Sequence, residues 1–129
     1  MNLAIRQYFD AIETCLIESP VIVSYRILSQ EVTPVDGKLR IKAETSNGGQ
    51  AEFFVYVAES AGDIHTLKYS FHWQDAQGQL IRRWDNAPHF PDLLNTPHHV
   101  HEADGTVSEL AHIPEFSLVI EEMERTTPL

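Results

Sequence analysis

Between Leu80 and His101 the chain gathers two arginines, Arg82 and Arg83, two aspartates and four histidines, His89, His98, His99 and His101. These residue types suit phosphodiester chemistry. An imidazole with a pKa of about 6.5 takes or gives a proton at neutral pH, and a guanidinium neutralises charge developing on a phosphate. A carboxylate such as Asp85 fixes a histidine's tautomer or holds an arginine in place. On this reading His89 and one of His98, His99 or His101 are base and acid. Arg83 or Arg82 clamps the phosphate, and Asp85 orients.

The spacing H-x8-H-H-x-H also invites a metal. Neutral imidazole binds zinc, nickel or iron well, and Asp85 completes a ligand set. No H-E-x-x-H or paired C-x-x-C motif accompanies it, and adjacent His98 and His99 point to different sides of an extended chain. No cofactor is therefore expected, although a divalent metal at the histidine cluster is compatible with the spacing. The alternative function is a non-enzymatic interaction module whose His-rich loop holds a structural or regulatory metal.

The elements that position these groups follow from periodicity. Ile5, Tyr8, Phe9, Ile12, Cys15 and Leu16 recur at helical spacing, predicting an amphipathic helix over residues 3–18, capped by Asn2 and closed by Pro20. Strands are predicted over residues 21–29, 38–43, 51–58, 64–73 and 79–86, separated by turn signals at Asp36-Gly37, Asn47-Gly48-Gly49 and Asp75–Gly78. Turns this short imply an antiparallel meander. The stretch 87–106, with three prolines and no sustained period, reads as a long functional loop. A second helix begins near Pro114 and buries Phe116, Val119, Ile120 and Met123.

Pairing across Asp75–Gly78 sets Trp73 opposite Leu80, Phe71 opposite Arg82 and Tyr69 opposite Trp84. One face is then aromatic apart from Arg82. The other carries Lys68, Ser70 and His72 with Ile81, Arg83 and Asp85. A bulge at Gly78 exchanges Arg82 with Arg83, so which arginine faces the site stays open. Lys68, His72, Arg82 and Asn86 are the candidate substrate-binding residues.

Composition limits the alternatives. A chain of 129 residues suits one α+β domain, an antiparallel sheet of about five strands with both terminal helices on one face. The net charge of −10 argues against a broad electrostatic footprint on nucleic acid, though not against a local site. The single Cys15 cannot form an internal disulfide. No apolar run approaches the ~20 residues that span a bilayer, and the first residues do not resemble a secretory signal, so the expected location is the cytoplasm without membrane contact.

The strings Tyr69-Ser70-Phe71-His72-Trp73-Gln74, Leu80-Ile81-Arg82-Arg83-Trp84-Asp85-Asn86-Ala87-Pro88-His89 and Pro97-His98-His99-Val100-His101 resemble the TumE family. The R-W-D-N-A-P-H and P-H-H-x-H strings are its specific part. The resemblance implies a toxin of a type II toxin–antitoxin pair, a small helix-turn-helix antitoxin as partner, and ribonuclease activity with RNA as substrate. Motif positions carry over onto Arg83, Trp84, Asp85, Asn86, His89, His98, His99 and His101, without roles. A homo-oligomer is compatible with this reading. Because these residues lie on a strand end and a polar loop, their truncation is expected to remove activity without unfolding the chain, whereas Trp84→Ala is expected to cost stability first.

Overall fold

A computed structural model describes residues 2–87, 98–110 and 112–127. Helix α1 (Leu3–Glu18) begins where Asn2 Oδ1 accepts the Ile5 amide proton at 3.1 Å, and it buries Ile5, Phe9, Ile12 and Leu16. Seven strands follow: β1 (Ile22–Val32), β2 (Asp36–Thr45), β3 (Gln50–Ser60), β4 (Asp63–Gln74), β5 (Leu80–Asp85), β6 (His99–Glu102) and β7 (Val107–Glu109). They form one antiparallel sheet in sequence order. Helix α2 (Phe116–Thr126) closes the described fold with the four buried residues expected of it.

The α+β class and the helix pair on the apolar face agree with the sequence. The sheet has seven strands rather than five. β6 comes from the stretch 87–106 read as loop and β7 from the residues just after it, and strands of four and three residues are too short to establish an alternation. Their hairpin turns through Gly105, at φ 90°, while the Asp104 carboxylate accepts the Thr106 amide proton and is held below the usual carboxylate range by its hydrogen bonds to Thr106.

Phe116 makes edge-on contacts with Phe53 and Phe71, anchoring α2 to the sheet centre, and α1 lies beside it over β1 to β4. Gly37 permits that approach. A Cβ there would stand 2.7 Å from Ile5 Cγ2 and 3.1 Å from the Phe9 ring. With both helices on one face, the other face of the sheet is left to solvent.

The register between β4 and β5 differs from expectation. The turn closes with the Asp75 amide donating to the Gln79 carbonyl, Gly78 takes φ 80°, and Gln74 faces Leu80. A further irregularity then sets Trp73 opposite Arg82, His72 opposite Arg83, Phe71 opposite Trp84 and Ser70 opposite Asp85. Each offset moves the pairing by one residue. Together they restore parity, so each side chain keeps the face expected of it.

Candidate functional site

Antiparallel pairing lines up cross-strand neighbours on the solvent face. In one row Lys42, Glu52, His72, Arg83 and His101 succeed one another from β2 to β6. The next row runs Arg40, Phe54, Ser70, Asp85 and His99. Strand spacing near 4.8 Å therefore puts the Cα atoms of His72 and His101 about 10 Å apart with Arg83 between them. An open trough of ≈ 460 Å³ adjoins this row, its walls including Arg40, Lys42, Phe54, Lys68, His72 and Arg83.

Asp85 is the buried pivot of the second row, at 1 % side-chain exposure. Arg83 Nε donates to its Oδ2 at 2.7 Å, the Ala87 amide donates to Oδ1 at 3.3 Å, and His99 Nε2 stands 2.7 Å from Oδ1. His101 Nε2 lies 3.5 Å from Oδ2, and the His99 and His101 rings meet edge-on at 4.9 Å. Exposure separates the roles open to these groups. His99 is 2 % exposed and cannot meet a large substrate directly, whereas Arg83 at 38 % and His101 at 20 % reach solvent. The arrangement is a carboxylate that fixes one arginine and two imidazoles, two of the three presented outward.

Strand alternation sends the remaining candidates elsewhere. His98 precedes β6 and stacks on Tyr69, ring centroids 5.7 Å apart, with its Nδ1 3.1 Å from the Tyr69 hydroxyl. Burial, and then the nearby Asp85 charge, push the Tyr69 pKa up, so that hydroxyl stays protonated and donates. Burial, His112 and His99 push the His98 pKa down, which suits a neutral acceptor. Arg82 lies on the helix side, bridging Glu102 at 3.1 Å and Glu122 at 2.6 Å. Burial opposes its charge, but the hydrogen bonds it donates to those two carboxylates raise its pKa on balance. Arg83 is thus the arginine on the solvent face.

Asn86 acts as a backbone surrogate, accepting from the Tyr69 amide and donating to the Leu67 carbonyl at 3.1 Å each. Lys68 lines the trough, two residues along β4 from Ser70. His89 lies outside the described residues. The structure therefore brings Lys68, His72, Arg83, Asp85, His99 and His101 to one face and directs His98, Arg82 and Asn86 to other tasks. The burial of Asp85 and His99 places these two among the packed residues, where truncation is expected to cost stability, and not in an exposed loop. The sequence pointed to a polar loop, but β6 turns that segment into a sheet strand.

Asp85, His99 and His101 also form the three-ligand group that a metal reading requires, with one atom from each within 4.8 Å of the others. Ligands about 2.0–2.2 Å from a tetrahedral ion stand roughly 3.3 Å apart. The 2.7 Å contact between His99 and Asp85 is tighter than that, and Arg83 occupies Oδ2. An ion would have to part these groups and sit beside a guanidinium.

Among the described residues, no helix is long and apolar enough to cross a membrane. The family model described as "Toxin TumE" matches residues 12–127, most of the chain. Neither the curated proteins nor the solved structures include a significant match.

Proposed function

The chain belongs to the TumE toxin family and is the toxin component of a toxin–antitoxin pair, and from that premise we propose that it cleaves RNA by metal-independent acid–base chemistry at the His72–Arg83–His101 row. The cross-strand alignment of two imidazoles around one arginine on the solvent face carries the reading. One of His72 and His101 takes the proton from a ribose 2′-hydroxyl, whose oxygen forms a bond to the adjacent phosphorus. The other gives a proton to the departing 5′-oxygen as its bond to phosphorus breaks, leaving a 2′,3′-cyclic phosphate. Arg83 neutralises charge on the non-bridging oxygens. Asp85 holds Arg83 and His101 in position, and His99 secures Asp85 from behind. The antitoxin in this reading is the small helix-turn-helix protein that the family resemblance implies.

The test is incubation of the purified, untagged protein with an RNA oligonucleotide and with the same oligonucleotide carrying single 2′-deoxy substitutions. Cleavage is expected only where a 2′-hydroxyl is present, with a cyclic phosphate end, undiminished by chelator and abolished in His72→Gln and His101→Gln. Growth arrest on expression without any RNA cleavage would sink the reading, as would parental cleavage rates in both histidine variants. A second reading rests on the Asp85, His99 and His101 ligand group. Near-stoichiometric zinc in untagged protein, with activity lost in chelator, would favour it.

A further inference from the structure

Charge is distributed unevenly around the sheet. Of the nine Lys and Arg residues, Arg26, Lys38, Arg40, Lys42, Lys68 and Arg83 all fall on the solvent face. Only Arg6, Arg82 and Arg125 offset the carboxylates of the rest of the molecule. Glu31, Asp36, Glu44, Glu52 and Asp85 share that face, so it is close to neutral as a whole, and the positive charge is concentrated in the trough, where Arg40, Lys42, Lys68 and Arg83 meet Glu52 as the one lining carboxylate.

Two aromatic rings sit among these cations. The Arg40 guanidinium lies over Phe54, 4.5 Å from its ring centroid, and Lys38 Nζ lies 5.4 Å from that of Tyr56. Phe54 is also the cross-strand neighbour of Ser70, and Tyr56 that of Lys68. Flat cation-topped rings on an open sheet offer stacking surfaces to bases, since a base stacks on an aromatic ring or on a guanidinium plane. From Lys42 on β2 to Arg83 on β5 the sheet spans about 14 Å, along which the trough carries positive charge toward the His72–Arg83–His101 row.

We infer that the solvent face of β2 to β4 is a track for single-stranded RNA, with bases stacked on Arg40–Phe54 and Lys38–Tyr56 and phosphates held by Lys42 and Lys68. The inference rests on the ribonuclease reading for its RNA substrate, and it adds that the strand is unpaired. A duplex buries the base faces that these platforms would engage. Glu52 lies between Lys42 and His72 and takes a hydrogen bond from Arg40 at 3.1 Å, so it holds the guanidinium plane over the ring.

The experiment is fluorescence anisotropy with a labelled 2′-O-methyl RNA oligonucleotide, which has no free 2′-hydroxyl and cannot be cleaved by this route. A duplex of equal length is the comparison. The single strand is expected to bind at least about tenfold more tightly than the duplex, with a marked dependence on salt. Phe54→Ala should weaken it about tenfold. Phe54→Leu preserves apolar bulk and should lose nearly as much, separating the ring's role from folding. Lys42→Ala should reduce the slope of log K against log salt by about 0.7. Arg125→Ala, on the helix side, should change nothing.

Equal affinity for single strand and duplex would overturn the inference, as would parental binding by both Phe54 variants. Binding without cleavage of the unmodified RNA would sink the ribonuclease reading and leave the track standing. Cleavage by a protein whose Phe54 and Lys42 variants bind and cleave like the parent would do the reverse.

Discussion

Replacing Asp85 with asparagine removes one charge and almost no volume, which makes it the sharpest probe of the buried cluster. The carboxylate now accepts from Arg83 Nε at 2.7 Å and from the Ala87 amide at 3.3 Å, and it lies 2.7 Å from His99 Nε2. An asparagine amide can turn its oxygen to Arg83 and its NH2 group to His99, provided that His99 changes tautomer and accepts. What cannot be recovered is the charge opposite Arg83, or the weak bond from the Ala87 amide, which would then face an NH2 group. A hydrogen bond to a charged group contributes about 1.5–3 kcal/mol, whereas breaking a fully buried pair costs about 3–5 kcal/mol. Arg83 is 38 % exposed and can turn toward water, so the lower range applies. We expect a loss of about 2–3 kcal/mol, lowering the melting temperature by roughly 8 °C for a chain of this length. Urea unfolding with an unchanged m-value is the confirming assay. Arg83→Gln should cost a similar amount, about 2–3 kcal/mol, because it leaves the buried Asp85 carboxylate without its guanidinium. If Asp85→Asn melts within about 2 °C of the parent, Asp85 does not organise the cluster, and the roles assigned to its partners fall with it.

His101→Gln should leave the melting temperature nearly unchanged while abolishing RNA cleavage, whereas His99→Gln should lower both, because His99 is buried and His101 reaches solvent; thermal melts and cleavage rates on the same preparations test this. Trp84→Ala should cost about 3–5 kcal/mol in urea unfolding, since the ring is buried opposite Phe71. Stability should fall on acidification in two stages. His98, with its pKa lowered, contributes stability that is complete above about pH 6.5 and is lost as pH falls through its folded value. Glu122, lowered by Arg125 and then Arg82, contributes stability that is complete above its ordinary pKa and is lost at lower pH still. A pH series of melts on His98→Gln should lack the first stage, and retention of that stage would refute the assignment.

Where a pattern runs long enough to repeat, the chain states its structure openly. Sixteen residues of α1 and ten to twelve residues in each of the first four strands are long enough to yield helix and strand from spacing alone. The polar face of β4 and β5, with Asp85 beside His72, was legible from cross-strand pairing, while a bulge at Gly78 left open whether Arg82 or Arg83 joins them. What spacing could not supply was β6. Its four residues alternate only twice, and its pairing with β5 is a long-range matter of which residues the sheet has already left unpaired. The separate fates of His98, His99 and His101 depend on that pairing, so the sequence showed that His98 and His99 point to different sides but left open which of them faces the site. The role of His72 was hidden differently: it sits mid-strand, and only the row across β4, β5 and β6 shows it as the counterpart of His101.

The hairpin of β6 and β7 has a mechanical consequence of its own. Because side chains alternate, sliding β6 by one residue along β5 would exchange its faces, turning His98 and Val100 outward and driving His99 and His101 toward the apolar layer. The same amino acids would remain, and the His72–Arg83–His101 row proposed to react would be gone. The latch against that slip is small and remote from the chemistry: the turn at Asp104-Gly105, the Glu102 amide bonded to the Thr106 carbonyl, and the Leu110 amide bonded to the His98 carbonyl. Gly105 occupies a φ that other residues adopt only under strain. The turn therefore works as an index pin, and loosening it would dismantle the His72–Arg83–His101 row without touching any of its residues.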